Sequence, residues 1–202
     1  AVENGVDTEY FSPEPELPRP FDDDGPVAVF TGAMDYWANV DAVEWFANEV
    51  LPGVRDRVPG AAFWIVGSRP DEAVRRLERL PGVRVTGTVP DVRPFLAHAA
   101  ISVAPLRIAR GIQNKVLEAM AMARPVVASP QAMDGLELPP GGSPVTAAGV
   151  PDWVREVVLR LGPERPTSSR ALREAVVERY AWDSKVARIV NLMEADGPAA
   201  TI

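Results

Sequence analysis

Residues 110–129 combine a glycine, a lysine and a carboxylate at spacings that suit a phosphorylated ribose. Gly111 opens a turn that leads into an amphipathic helix, and the unpaired N–H groups at the start of a helix bind phosphate. Lys115 lies one turn into that helix, and Glu118 offers two oxygens that accept hydrogen bonds from vicinal hydroxyls. Gly111 and Glu118 are roughly 10 Å apart along the helix axis, which is close to the span of a nucleotide from its diphosphate to its ribose.

The same residues also have a purely structural interpretation. Lys115 and Glu118 are three positions apart, so they could pair on a solvated helix face, which is worth ~0.2–0.5 kcal/mol. The local charge favours a ligand, because residues 103–125 hold four basic residues and one acidic residue in a chain of net charge −7. A cationic island in an acidic protein suggests a small anionic ligand. Chance clustering on a solvated surface remains the alternative.

The elements that must position this segment alternate along the chain. Apolar runs predict six strands: Val27–Thr31, Ala61–Val66, Val83–Val85, Ala100–Ala104, Val126–Ala128 and Pro144–Thr146. Helical periodicity predicts a helix from an N-cap at Asn39 to about Val50, and further helices over 71–80, 92–98, 112–123, 151–161, 167–179 and 183–194. Apolar strands that alternate with helices predict an α/β fold, a doubly wound (Rossmann-like) parallel sheet with flanking helices and C-terminal helices.

The first 26 residues have a different composition from the rest of the chain. Residues 12–26 contain five prolines and the run Asp22–Asp24, which is typical of an extended and exposed linker. Consecutive carboxylates in such a segment are more often solvated than metal ligands. We therefore divide the chain into a linker, 1–26, and one domain, 27–202.

Several classes of function are disfavoured. The first turn contains Gly32 without the further glycines of a dinucleotide fingerprint, and no P-loop is present. The chain has no cysteine and one histidine, His98, for which a surface or cap role is expected. A Ser/His/Asp set and thiolate metal sites are therefore disfavoured, and the negative net charge disfavours nucleic acid as a partner. The sequence contains no apolar run long enough for a transmembrane helix.

Residues 110–129 resemble the donor-binding signature of retaining glycosyltransferases of the two-Rossmann-domain (GT-B) architecture, group 1 or family 4 type. Residues 3–7 and 10–13 look like the linker between the two domains of that family. Gly111–Ser129, with Pro105–Arg107 ahead of it, is similar to a bacterial branch associated with exosortase systems and exopolysaccharide synthesis. The resemblance implies that this chain is the C-terminal, nucleotide-sugar-binding half of a longer enzyme.

The resemblance also implies roles for individual residues. It places the donor diphosphate at the turn formed by Gly111, Ile112, Gln113 and Asn114, and it matches Gly32 to the glycine of the first donor-side loop. We add Arg107, Arg110 and Lys115 to the candidate diphosphate-binding residues because of their charge and position. The resemblance assigns the donor ribose to Glu118 and the neighbourhood of the base to Gly67, Arg69, Thr88 and Val89. It assigns no catalytic residue.

Two departures from the family pattern concern the donor. The family has a glutamate eight positions before Glu118 that contacts the hydroxyls of the donor sugar, whereas this chain has Arg110. Either the donor sugar carries a carboxylate or another acceptor, or Arg110 binds phosphate. The family also has an Arg/Lys pair after the first strand, whereas residues 33–39 contain no basic residue, so neutralisation of the phosphates is expected from Arg107, Arg110 and Lys115.

The expected activity is retaining transfer of a sugar from a nucleotide diphosphate sugar to a glycan or exopolysaccharide acceptor, without a metal or cofactor. The acceptor, a glycan or a lipid-linked sugar, would bind through an N-terminal domain that is absent from this sequence. We therefore expect the isolated chain to be inactive. The expected location is the cytoplasm, where the full enzyme can also associate peripherally with a membrane. The alternatives are a non-catalytic nucleotide- or sugar-phosphate-binding module and a nucleotide-sugar epimerase of related fold.

Overall fold

A computed structural model describes residues 4–13, 16–22, 24–139, 141–163, 168–182 and 186. Its sheet has six parallel strands in the order β3-β2-β1-β4-β5-β6. The strands are β1 Val27–Thr31, β2 Ala62–Val66, β3 Val83–Gly87, β4 Ile101–Ala104, β5 Val126–Ala128 and β6 Val145–Thr146. The predicted α/β fold with a parallel Rossmann-like sheet is confirmed.

Seven α-helices lie within the described residues. They are α1 Trp37–Trp45, α2 Leu51–Arg55, α3 Glu72–Arg76, α4 Arg93–His98, α5 Asn114–Ala121, α6 Val150–Leu161 and α7 Arg170–Tyr180. A π-helical turn over Phe46–Val50 joins α1 to α2, and 3₁₀ turns follow α3 and β5. The predicted helix over 183–194 falls outside the described residues apart from residue 186.

The two faces of the sheet are covered by different sets of helices, as neighbouring residues of β2 show. Phe63 packs against Phe46 at the end of α1, with ring centroids 4.6 Å apart. The next residue, Trp64, packs against Phe95 of α4 at 6.0 Å. Successive side chains of a strand point to opposite faces, so α1 and α4 lie on opposite sides of the sheet. All five residues of β1 and of β2 are buried, as expected for a sheet covered on both faces.

The first helix differs from the prediction at both ends. It begins at Trp37, with Tyr36 as the N-cap residue, so the prediction of Asn39 as N-cap is wrong. Its helical path continues past Val50 to Arg55 through the π turn. Pro52 has no N–H for a regular helical bond, and the turn just before it widens to the π form.

Residues 4–13 and 16–22 lie against the domain rather than extending freely, although their composition predicts an exposed linker. Val6, Ser12 and Phe21 are buried, and Val6 forms a parallel bridge with Ala181 just after α7. His98 forms a 2.6 Å hydrogen bond with the Leu17 carbonyl, which gives the single histidine a structural contact.

Arg173 of α7 connects residues 8–11 to the domain through hydrogen bonds, and replacing Arg173 tests these bonds. Its guanidinium donates to the carbonyls of Phe11, Thr8 and Ala121. Because Arg173→Ala leaves these carbonyls without their donor, we expect the unfolding free energy to fall by about 2 kcal/mol. We also expect faster hydrogen exchange at residues 6–12 than in the unaltered protein.

Arg170 provides the matched control on the same helix. Its guanidinium pairs with Glu174 one turn away, and both side chains are exposed. Because exposed pairs of this kind contribute little, Arg170→Ala should change neither the urea midpoint nor the exchange at residues 6–12. Equal effects of the two substitutions would contradict a specific role for Arg173.

Candidate functional site

Two of the predicted site residues, Gly32 and Lys115, lie close together where the strand order reverses. β1 lies between β2 and β4, and the helices that follow β1 and β4 cover opposite faces of the sheet. We call the region at the carboxyl ends of β1 and β4, between the starts of α1 and α5, the crevice. This is the position at which open α/β sheets bind ligands.

The floor of the crevice is formed by two glycines whose backbones touch. The Gly32 N–H donates to the Val66 carbonyl at 3.1 Å. A Cβ atom added to Gly67 would lie only 1.6 Å from the Gly32 carbonyl oxygen. A side chain at position 67 is thus excluded by the backbone of the neighbouring loop, which explains the glycine after β2.

The start of α5 faces this floor with free backbone donors. The helix begins at Asn114, after Gly111 with φ +67° and an extended Gln113. The N–H groups of Val116 and Leu117 are the first to reach a helical carbonyl, that of Gln113. The Gln113 side chain does not cap the helix but donates to the Gly111 carbonyl at 2.9 Å. The helix therefore begins two residues later than the predicted start at 112, and its first N–H groups have no side-chain cap.

Lys115 reaches from α5 across the crevice to α1. Its Nζ donates to Asn39 Oδ1 at 3.1 Å and lies 5.2 Å from the centre of the Phe30 ring at the end of β1. Burial disfavours the charged amine and lowers the pKa of Lys115 to about 8, against the opposing field of Glu118. A lysine held in this way carries a positive charge at neutral pH that is incompletely solvated and available to an anion.

Glu118 lies one turn further along α5 and is partly buried. Burial raises its pKa, and the charge of Lys115 opposes that rise. The structure gives Glu118 no hydrogen bond or ion pair with any residue in the described ranges, so the surface pair with Lys115 is not formed. A buried carboxylate without a partner is unfavourable alone, which favours the interpretation that a ligand supplies the donors.

The arginines of the cationic island are mostly engaged. Arg107 forms a bidentate ion pair with Asp41 of α1. Arg124 lies at the far end of α5, where its Nε donates to the Met122 carbonyl. The side chain of Arg110 is exposed and has no partner among the described residues. Within the island, the cations without a carboxylate partner are therefore Arg110 and Lys115 at the crevice and Arg124 away from it.

The other predicted residues have different surroundings. Ile112 packs against the core, and the Asn114 side chain accepts a hydrogen bond from Asn4 at 2.5 Å. Arg69 forms an ion pair with Asp35 that joins the loops after β1 and β2. Thr88 and Val89 follow β3, the edge strand next to β2.

The sequence does not predict the contacts of Asn39, Asp35 and Asp41 with basic residues at this edge of the sheet. The position of Asn39 in the sequence suggests a helix cap. The one feature that points to its contact with Lys115 is the lack of any basic residue between β1 and α1. Which acidic side chain each arginine meets depends on how α1 lies against the loops after β2 and β4. Pairings between such distant positions cannot be read from spacing.

A second concavity, of about 610 Å³, lies between α2 and α6 and is lined almost entirely by apolar side chains. Its two arginines are already engaged, Arg57 with the Gly53 carbonyl and Arg155 with Asp152 and Glu156. In the described part of the chain, no His, Cys, Asp or Glu side chains form a group of three that could hold a metal ion. No helix there is long and apolar enough to cross a membrane.

Comparison with known proteins identifies a family and a fold. The family model described as "Glycosyl transferases group 1" matches residues 25–156, which include β1 to β6 and the whole crevice. The chain has no match among curated protein sequences.

Solved structures show the same fold at low sequence identity. A glycosyltransferase from Rickettsia africae ESF-5 has a TM-score of 0.74 at 14% identity, over 96% of this chain and 56% of that one. Sucrose-phosphate synthase from Thermosynechococcus elongatus has a TM-score of 0.70 at 17% identity, over 96% and 51%. Anabaena HepE in complex with UDP and glucose has a TM-score of 0.68 at 14% identity, over 96% and 56%. The chain thus spans just over half the length of each of these structures.

Proposed function

We propose that this chain, which belongs to the group 1 glycosyl transferases, is the donor-binding part of a retaining enzyme that uses a nucleotide diphosphate sugar. The observation that carries the proposal is the arrangement of α5 at the carboxyl ends of β1 and β4. There the free N–H groups of α5, the amine of Lys115 and the unpaired carboxylate of Glu118 follow one another along a single helix. UDP and glucose are bound by the Anabaena relative.

The first step in this function is recognition of the diphosphate. The start of α5 supplies N–H donors and a partial positive charge, and Lys115 adds a full charge from one turn further along. As the bond between the sugar and the diphosphate breaks, negative charge develops on the departing phosphate oxygens. Donors that are already oriented stabilise that charge without reorganising. The leaving group is therefore the part of the substrate on which this chain acts.

Glu118 contributes to recognition of the nucleoside. A carboxylate accepts hydrogen bonds from two vicinal hydroxyls at once, and Glu118 has no competing partner among the described residues. Arg110 is exposed at the turn before α5, where it can meet a phosphate or an acidic group of the donor sugar. The loops that carry Gly67 and Thr88 lie beyond β1 on the β2 and β3 side, where the base would extend.

We assign the remaining parts of the function to sequence that this chain does not span. The relatives are almost twice as long as this chain, and we assign the acceptor, a glycan or a lipid-linked sugar of an exopolysaccharide, to that further part of a cytoplasmic enzyme. We expect no sugar transfer from this chain alone. Transfer by the isolated 202 residues would contradict this division of roles.

The test of the site is a comparison of ribose and deoxyribose. Calorimetry with UDP, GDP, ADP and CDP first identifies the nucleotide, and the best one is then compared with its 2′-deoxy form. Because Glu118 binds the ribose hydroxyls, we expect the ribonucleotide to bind about tenfold more tightly. Glu118→Gln should remove most of that preference.

Glu174→Gln serves as the control, since Glu174 is an exposed glutamate on α7. It should leave both affinities unchanged. Absence of binding by all four nucleotides would contradict the proposed function. A preference for ribose that persists in Glu118→Gln would contradict the role of Glu118 alone.

A further inference from the structure

Asn39 has its side-chain amide fixed from both ends at the crevice. The residue is only 5% exposed. Its Nδ2 donates to the Ala33 carbonyl at 2.9 Å, and its Oδ1 accepts from Lys115 Nζ at 3.1 Å. These two contacts together determine which way the amide points. A reversed amide would place its nitrogen against the ammonium group of Lys115 and its oxygen against the Ala33 carbonyl.

Gly32 makes room for this amide. A Cβ atom at Gly32 would lie 2.8 Å from Asn39 Nδ2 and 3.5 Å from Lys115 Cε. The absence of a side chain at position 32 thus allows Asn39 and Lys115 to meet directly above the end of β1. Three separate elements, the loop after β1, α1 and α5, contribute to one contact.

We propose that Asn39 is a positioning residue that holds the ammonium group of Lys115 over the end of β1, in the place where the donor diphosphate binds. The inference rests on the proposed function for the identity of the ligand. It concerns a residue of α1 that touches the lysine rather than the nucleotide.

The chemistry of the two side chains explains the pairing. Lysine carries its charge on a flexible four-carbon stem, so fixing the amine before the ligand arrives reduces the entropy lost on binding. Asn39 is neutral and occupies one of the three N–H donors, and Lys115 has no second acceptor among the described residues. The charge and the remaining two donors therefore stay available. An aspartate would hold the amine equally well but would cancel its charge next to a diphosphate.

The need for such a contact follows from the sequence between β1 and α1. Residues 33–38 contain no lysine or arginine, so the loop after β1 brings no cation of its own. The cation above β1 comes from α5, on the other side of the crevice, and the contact with α1 brings it there. The charged group that acts on the Lys115 amine within the described residues is Glu118, and the Phe30 ring lies below it.

The first experiment examines the contact in the free protein. Lys115 and Lys185 are the only lysines in the chain, so the Cε resonances of ¹³C-lysine-labelled protein are assigned with one Lys185→Arg variant. Asn39→Asp should raise the pKa of Lys115 from about 8 towards its ordinary value, because a carboxylate at this distance favours the charged amine.

Asn48→Asp is the matched control, because the Asn48 amide also donates to a backbone carbonyl, that of Glu44, but is exposed. It should leave the Lys115 titration unchanged. If Asn39→Asp and Asn48→Asp titrate alike, the contact is absent in solution and the proposal is wrong.

The second experiment is a double-mutant cycle on nucleotide binding. Asn39→Ala should weaken the best nucleoside diphosphate about tenfold in the unaltered background and less than about twofold in the Lys115→Met background. Equal weakening in both backgrounds would show that Asn39 acts independently of Lys115 and would overturn the proposal. Thermal unfolding of each variant verifies that it is folded.

The outcomes separate this inference from the proposed function. If no nucleotide binds but Asn39→Asp shifts the Lys115 titration, the contact stands while both the assigned ligand and the positioning role fail. If a nucleotide binds with Lys115 and Asn39 uncoupled, the proposed function stands and the positioning role fails.

Discussion

Gly67→Ala is expected to destabilise the protein by more than about 3 kcal/mol, at the upper end of what overpacking a protein interior costs. The added Cβ would lie 1.6 Å from the Gly32 carbonyl oxygen and 2.7 Å from its carbonyl carbon. Both atoms are backbone, so no flexible side chain can move aside. The loops after β1 and β2 must separate, and the floor of the crevice opens.

Gly87→Ala separates this steric effect from the general cost of replacing a glycine. Gly87 has φ +70°, so alanine is strained there, but no atom lies within 4 Å of the added Cβ. We expect a loss of about 1–2 kcal/mol from the backbone alone. Urea denaturation of the two variants measures the difference, and similar midpoints would contradict the close approach of Gly32 and Gly67.

Lys115→Met is expected to weaken nucleoside diphosphate binding about 10- to 100-fold, the worth of a charge-assisted hydrogen bond. The same substitution should stabilise the protein without ligand. Burial lowers the pKa of Lys115 to about 8, so the folded protein bears the cost of a partly desolvated charge. After subtraction of the lost bond to Asn39, we expect a gain of about 2 kcal/mol at pH 7.

The stability gain of Lys115→Met and the nucleotide affinity of the unaltered protein both depend on pH. The pKa of Lys115 is lower in the folded state, about 8, than its ordinary value of 10.5. Between these two values the unfolded state binds more protons than the folded state. The free-energy cost of the partly desolvated Lys115 charge is therefore fully present below pH 8 and disappears as the pH rises to 10.5. The stability advantage of Lys115→Met should shrink over the same window. The affinity of the unaltered protein for the nucleotide should fall above pH 8, as the amine loses its charge.

Lys185→Met, the substitution of the only other lysine, is the control for Lys115→Met. Calorimetry and urea denaturation between pH 6 and 10.5 provide both readouts. A Lys115→Met variant that is less stable and still binds the nucleotide normally would assign Lys115 a structural role, in contradiction to the site described above.

The sequence was sufficient to predict the sheet because its signals are local. The apolar runs of β1 and β2 are fully buried, and apolar continuity is what a strand covered on both faces requires. The helix that carries Lys115 and Glu118 was predicted from its periodicity, although its start lies at Asn114 rather than 112. Gln113 is extended there, and a cap residue of this type gives no strong sequence signal.

The sequence was insufficient where distant elements meet. The sequence does not predict that the guanidinium of Arg107 pairs with Asp41, 66 positions earlier. Asn39 was assigned to a helix cap because asparagine is common there, whereas its amide contacts Ala33 and Lys115. The prolines of residues 12–26 predicted an exposed segment, whereas Phe21 is buried against Trp64. Each of these outcomes depends on packing between elements, which composition does not contain.

The most direct test of the donor crevice is a crystal structure of the chain with its tightest-binding nucleoside diphosphate. We predict a phosphate oxygen within about 3.2 Å of Lys115 Nζ and of the first backbone N–H groups of α5. The ribose hydroxyls should lie within the same distance of the Glu118 carboxylate. A nucleotide bound elsewhere, such as the groove between α2 and α6, with Lys115 and Glu118 unoccupied, would contradict the account.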